Sequence, residues 1–274
     1  SFLRPIGKGS DDLVAVKLHS SAVTLAEVRH KSNVINIDQL GSVGLPRRFD
    51  PQNLARQQDM IGEIIRTFRD QSGVTNRDAG IVLPGGIVSL RQLNLPYMTA
   101  AELAKEAEDI TFWTEIEPDI GKLEDPQISY ATLASSENDD LTRVVVGFAE
   151  RASMTQWSDL LLNAHLNPVF LELESVALAN YLYASISPEE RQQSQAIMHV
   201  SGDRIELIAF AAQRFHVLKL EISEFDQVLL SEIEDVSDTT GEFWDEVGGR
   251  IANTMKQAVM LLHEELSSSQ FKIH

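Results

Sequence analysis

Residues 13–27 read LVAVKLHSSAVTLAE: an apolar strand, a short polar turn at His19-Ser20-Ser21, and a second strand with alternating apolar residues. This is the outline of a nucleotide-cradling strand-loop-strand. Lys17 stands where such a loop carries an acidic, metal-positioning residue. The outline points to a phosphate-binding fold, and the reversed charge points to a fold kept for binding partners instead of hydrolysis.

Working outward, Leu13 to Leu18, Ala22 to Val28 and Val34 to Leu40 predict a three-strand meander. Asp50-Pro51 supplies an N-cap with proline at the first helical position. Leu54, Ile61, Ile64, Ile65 and Phe68 follow at helical spacing until Gly73. Ala79 to Leu83 is the next strand. The second half starts the same way, with strands at Ala196 to Val200, Ile205 to Phe210 and Phe215 to Leu220. A helix follows from about Thr240 to Leu266, and Phe271 to Ile273 opens another strand. A β-β-β-α unit therefore occurs twice, the duplication that underlies actin-like and hexokinase-like, ribonuclease H-like α/β folds.

Between the repeats, Thr99 and Glu102 have capping-box spacing, so Thr99 to Trp113 reads as one helix. Ile128 to Leu133 and Arg143 to Phe148 read as strands, Ser153 to Leu166 as a helix, Val169 to Leu173 as a strand and Ser175 to Ala184 as a helix. Gly85-Gly86, between two strands, reads as a hairpin turn and not as a phosphate cradle. The expected organisation is a tail at 1–12, lobe I at 13–184 and a polar linker at 185–194. Lobe II is 195–274, and it is expected to stop short of a complete adenine pocket.

The chain has 274 residues, 43% of them hydrophobic, enough for two lobes with sizeable cores. Forty-one acidic against 23 basic residues leave a net charge of -18, which argues against nucleic acid and favours basic peptide segments as partners. With no cysteine, disulfides and thiolate metal sites are excluded, in keeping with a reducing cytoplasm. No apolar run is long enough for a membrane helix, so membrane contact is expected through partners only. His263-Glu264-Glu265 lacks the second histidine of a zinc-protease helix, and no metal is expected. Glu117, Asp119, Glu124 and Asp125 read as solvated acidic surface.

The segments VAVKLHSSAVTLAEV (14–28), LPGGIVSLRQLNLPYMTAAELAKEAED (83–109) and VVVGFAERASMTQWSDLLLNAHLNPVFLELESVALANYLY (144–183) resemble the PilM family. These are actin-like cytoplasmic proteins of type IV pilus assembly, related in fold to FtsA and akin to the MSHA-pilus protein MshI. The resemblance implies two actin-like lobes, with the core of lobe I at 13–79 and 141–184 and an inserted subdomain at about 80–140. A groove beside that insert would take the N-terminal cytoplasmic peptide of a PilN-like inner-membrane protein, and other surfaces would meet the motor ATPases of the pilus machine. Self-assembly stays open. A cytoplasmic domain of the GspL kind from type II secretion, docking the secretion ATPase, is the alternative reading. An active actin-like ATPase is the second.

The resemblance also locates the departures. The family's first phosphate loop, Asp-x-Gly-Ser-Ser, falls on Lys17, His19, Ser20 and Ser21. Its second, Asp-x-Gly, falls on His199 and Ser201, followed by Gly202. Both acids and both loop glycines are missing. Carboxylates would hold a hydrated magnesium ion, and glycines would let backbone N–H groups approach phosphate. Lys17, Ser20, Ser21, Ser201 and Gly202 are thus degenerate equivalents of nucleotide-binding positions. The expectation is no resident cofactor, or weak ATP binding without magnesium, and no catalytic residues. In isolation, Lys17 reads as a lysine reaching solvent and His199 as a hydrogen-bonded strand residue.

Overall fold

The structure, a computed structural model, describes residues 12–31, 34–133, 140–200, 204–211, 214–231, 244–265 and 272–273. It divides into two compact units, residues 1–174 and 175–274. The division falls at the first turn of a helix, ahead of the 185–194 stretch that the sequence marks as a linker.

In the first unit, β1 (Asp12–Leu18), β2 (Ala22–Lys31) and β3 (Val34–Gly44) form the expected antiparallel meander, with Leu13 opposite Val28 and Val28 opposite Ile37. β4 (Asp78–Leu83) and β8 (Asn167–Leu173) add in parallel, giving the order β3-β2-β1-β4-β8. One face of this sheet carries Val14, Val16, Val23, Leu25 and Ile81, all buried against α1 (Leu54–Gln71) and α4 (Arg151–Asn163). Phe49 meets Trp157 edge to face at 5.8 Å in the same core.

α1 does not start at Pro51 with Asp50 as its N-cap; it starts at Leu54, with Asn53 as N-cap and no side-chain cap bond, while Gly73 stops it as the sequence suggests. Asp50 accepts from the backbone N–H of Asn53 through its own carbonyl, and Pro51–Asn53 is a 3-10 turn leading into α1. At the other end Gly73 takes φ 71°, and Val74 N–H reaches back to the Arg69 carbonyl, a Schellman closure that needs a left-handed residue. Arg69, itself buried, donates to the carbonyls of Ala164 and His165 at 3.0 Å each. Its cation therefore caps the carboxyl end of α4 and ties it to α1.

A separate three-stranded sheet, β5 (Ser89–Pro96), β7 (Leu141–Glu150) and β6 (Pro126–Thr132), forms in the order β5-β7-β6. Its middle strand, β7, comes from residues that the sequence reading placed on the core side of residue 140. Leu95, Leu103, Trp113, Ile120, Val144, Val146 and Phe148 make its own core. The helix expected at Thr99 to Trp113 is two helices, α2 (Ala100–Glu106) and α3 (Ile110–Ile116). Thr99 and Glu102 do form the capping box of α2, but Asp109 starts a new helix by accepting from Thr111 N–H at 2.8 Å. The buried Trp113 indole donates to the Ala107 carbonyl at 3.1 Å, which satisfies the break.

Gly85-Gly86 is not a hairpin turn. β4 belongs to the five-stranded sheet and β5 to the three-stranded one, so this turn, with Gly86 at φ 93°, carries the chain between sheets. The acidic stretch is more than solvated surface: Glu117 and Asp119 face Arg91 at 3.6 and 3.7 Å, Asp119 pairs with Lys122, and Asp125 pairs with Arg151 at 2.9 Å.

In the second unit, α5 (Glu174–Ser185) leads in from the first. β9 (Gln195–Val200), β10 (Arg204–Ala211) and β11 (Arg214–Glu221) repeat the meander, and β12 (Lys272–Ile273) adds parallel to β9. The order β11-β10-β9-β12 reproduces β3-β2-β1-β4. α6 (Glu224–Ser231) and α7 (Gly249–Glu265) follow, α7 preceded by a π-turn at Trp244–Gly248. Ala258 and Leu262 of α7 pack on Ala196, Leu207 and Ala209 of the sheet. The duplication inferred from the sequence is thus observed in these four strands, and β8 is additional to them.

Candidate functional site at the carboxyl edges of the parallel strands

In an open α/β sheet, ligands meet the carboxyl ends of the parallel strands, where the loops gather. In the first unit these ends are Leu18, Leu83 and Leu173, from β1, β4 and β8. The turn at residues 19–21, the Pro84-Gly85-Gly86 turn and the start of α5 all lie at this one edge.

Lys17 does not simply reach solvent here. Its Nζ lies 2.5 Å from Oε1 of Glu174, whose side chain is 7% exposed against 31% for Lys17. β8 delivers Glu174 to the site by ending at Leu173, and Glu174 is the first residue of α5, where the helix dipole favours a carboxylate. The site therefore keeps one positive and one negative charge. The cation is a covalently attached ammonium. Two residues before it, Glu172 lies opposite Val82, itself opposite Lys17, so Glu172 and Lys17 share a sheet face. Burial pushes its carboxyl above the ordinary 4.5, a rise partly offset by the hydrogen bond from Leu173 N–H.

The turn itself is closed without glycine. His19 N–H donates to the Ala22 carbonyl at 2.8 Å, and the carbonyls of Ser20 and Ser21 accept from Phe49 and Leu45 N–H at 2.6 and 2.7 Å. None of His19, Ser20 and Ser21 has positive φ, so the loop shape places no demand for glycine on His19. The His19 ring contacts Thr24 Oγ1 at 3.1 Å. Thr24 donates on to Ser42, which donates to the Val23 carbonyl, a polar chain from the turn across β2 and β3.

In the second unit Ser201 and Gly202 lie outside the described residues. His199 is a strand residue, opposite Glu206 on β10. Glu206 is fully buried, with Arg204 Nε 3.3 Å and Lys219 Nζ 3.4 Å from its Oε1. A buried carboxylate needs such cations nearby. Each unit thus holds a buried glutamate within reach of a lysine. Sequence reasoning missed Glu174 and Glu206. A signal existed for each: Lys17 on a half-buried strand calls for a countercharge, and Arg204-x-Glu206 interrupts an apolar strand. Among the described residues no cluster could hold a metal ion, and no helix is long and apolar enough to cross a membrane.

A family model for the type IV pilus assembly protein PilM matches residues 15–217. Among solved structures, a chain of a PilM-PilN type IV pilus biogenesis complex is similar, with a TM-score of 0.64 at 19% identity. The match covers 93% of this chain and 75% of that one. A protein from Bacteroides thetaiotaomicron with an actin-like ATPase fold and unknown function is similar at 11% identity over 99% of this chain and 94% of that one, with a TM-score of 0.43. The comparison with curated proteins returned no match.

Proposed function

The chain belongs to the family of the type IV pilus assembly protein PilM, and from that premise we propose that it is a scaffold of a pilus machine that no longer hydrolyses ATP. It acts in the cytoplasm at the inner membrane. There it takes the N-terminal cytoplasmic peptide of a PilN-like membrane protein and links that protein to the motor ATPases. The docking part of this reading is carried by the extent of the family match: residues 15–217 include the first loop and the whole of the β5-β7-β6 subdomain beside which the peptide would lie.

The loss of hydrolysis is supported by the Lys17–Glu174 pair. An ammonium held against a nearly buried carboxylate neutralises the acid that a magnesium ion would need, and a protonated amine cannot itself ligate a metal. Ser20 and Ser21 retain hydrogen-bonding groups, so any nucleotide bound at this loop would be held weakly and without metal.

Calorimetric titration tests both parts. The expected result is binding of a synthetic PilN-like N-terminal peptide, and no magnesium-dependent heat or phosphate release with ATP. Tight magnesium-dependent ATP binding followed by hydrolysis would make the protein an ATPase and remove the second part. Absence of peptide binding would remove the first.

A further inference from the structure

β3 ends the five-stranded sheet, so among the described residues one side of its backbone has no strand beside it. Such edges are usually blunted by lysine, proline, short length or a bulge. β3 is 11 residues long and contains neither lysine nor proline; its one irregularity is the register shift opposite Glu27 and Val28.

That shift has an effect on the side chains. Ile35, Ile37 and Leu40 lie opposite His30, Val28 and Ala26, three positions on one face of β2, so all three aliphatic groups share a face despite their uneven spacing. It is the face away from α1 and α4, since Val23, Leu25 and Glu27 point the other way into the core. Ile35, Ile37 and Leu40 are 65%, 60% and 67% exposed, an unusual concentration of aliphatic surface on one strand.

The charged residues that flank β3 most closely in sequence are basic. The only acid on β3 is Asp38, and it is taken up by Arg29 at 2.7 Å. Lys31 precedes the strand in sequence and Arg47 and Arg48 follow it, in a protein of net charge -18. Two copies joined antiparallel through β3 would set the Lys31 end of one against the Arg47-Arg48 end of the other, like charge on like. We propose that β3 is a docking edge that takes an extended segment of a partner protein, aliphatic in its middle and acidic at its ends, as a sixth strand. Backbone hydrogen bonds would supply the pairing, and Ile35, Ile37 and Leu40 would select aliphatic side chains at alternate positions. This surface is separate from the peptide groove proposed above, and the two are tested by different ligands.

The probe is a labelled synthetic peptide, Glu-Glu-Val-Thr-Val-Thr-Val-Glu-Glu, followed by fluorescence anisotropy on the full chain. A second peptide has lysine in place of each glutamate. The expected result is saturable binding of the acidic peptide, at least tenfold weaker binding of the basic one, and at least tenfold loss in Ile35→Thr/Ile37→Thr and in Arg47→Glu. The threonine variant keeps β-branched residues in the strand, and an unchanged circular dichroism spectrum separates lost docking from lost folding. Equal binding of both peptides, no binding of either, or binding indifferent to these substitutions would overturn the proposal. So would concentration-dependent dimerisation in sedimentation velocity that the threonine variant abolishes, which would make a second copy the occupant. Sedimentation with anionic vesicles that the same variant abolishes would make it a membrane.

Discussion

At Lys17 a cation sits against Glu174, and the two sides of the pair respond differently to substitution. Lys17→Asp places a carboxylate against one that is nearly buried, which should cost on the order of 3–5 kcal/mol in urea unfolding. The charge-swapped Lys17→Asp/Glu174→Lys should recover more than half of that loss; equal instability of the single and double variants would show that the pair is not a pair. Glu172 offers a pH signature. Burial raises its carboxyl above 4.5, so between 4.5 and the raised value the folded chain binds more protons than the unfolded one, and stability falls as pH rises through that window. Glu172→Gln should therefore raise the melting temperature at pH 7 and lose that advantage below about pH 4.5. A constant difference across pH would contradict the burial effect.

The elements divide according to how local their determinants are. The capping box at Thr99 needs only residues three apart, and it is present as read, with Thr99 N–H donating to Glu102 Oε2 at 2.8 Å and Glu102 N–H to Thr99 Oγ1 at 3.2 Å. Thr99→Ala should lower stability by about 1 kcal/mol, measured by chemical denaturation, with no change in peptide binding. The end of that same helix was not legible. The apolar spacing of Leu103, Ala107 and Ile110 continues through residues 107–109, but Asp109 caps a second helix and Trp113 fills the gap by bonding to the Ala107 carbonyl. An aspartate can be a surface residue or an N-cap, and the choice depends on where a buried tryptophan finds room. The turn at Gly85-Gly86 failed for a similar reason: two flanking strands look alike whether they pair with each other or belong to different sheets.

For the whole molecule, 41 acidic and 23 basic residues make self-repulsion a term that opposes compactness. Raising ionic strength from about 0.02 M to about 0.2 M shortens the screening length to under about 10 Å. The melting temperature in scanning fluorimetry should then rise by a few degrees. A fall would mean that the surface ion pairs, Asp125–Arg151 and Asp119–Lys122 among them, outweigh the net repulsion.

The sequence by itself determined the duplicated β-β-β-α unit, the strands at 13–18, 22–28 and 34–40 and their counterparts at 196–200, 205–210 and 215–220, because alternation and helical spacing are properties of neighbouring residues. It also determined that positions 17 and 199 carry lysine and histidine and not carboxylates, since that is a matter of residue identity alone. Only the tertiary structure decided that Lys17 is neutralised by Glu174, that Glu206 is buried between Arg204 and Lys219, and that β7 is the middle of the smaller sheet. Apart from Arg204, two residues from Glu206 on the same strand, these partners come from elsewhere in the chain; local pattern signals that a countercharge is needed, but which strands share a sheet decides what supplies it.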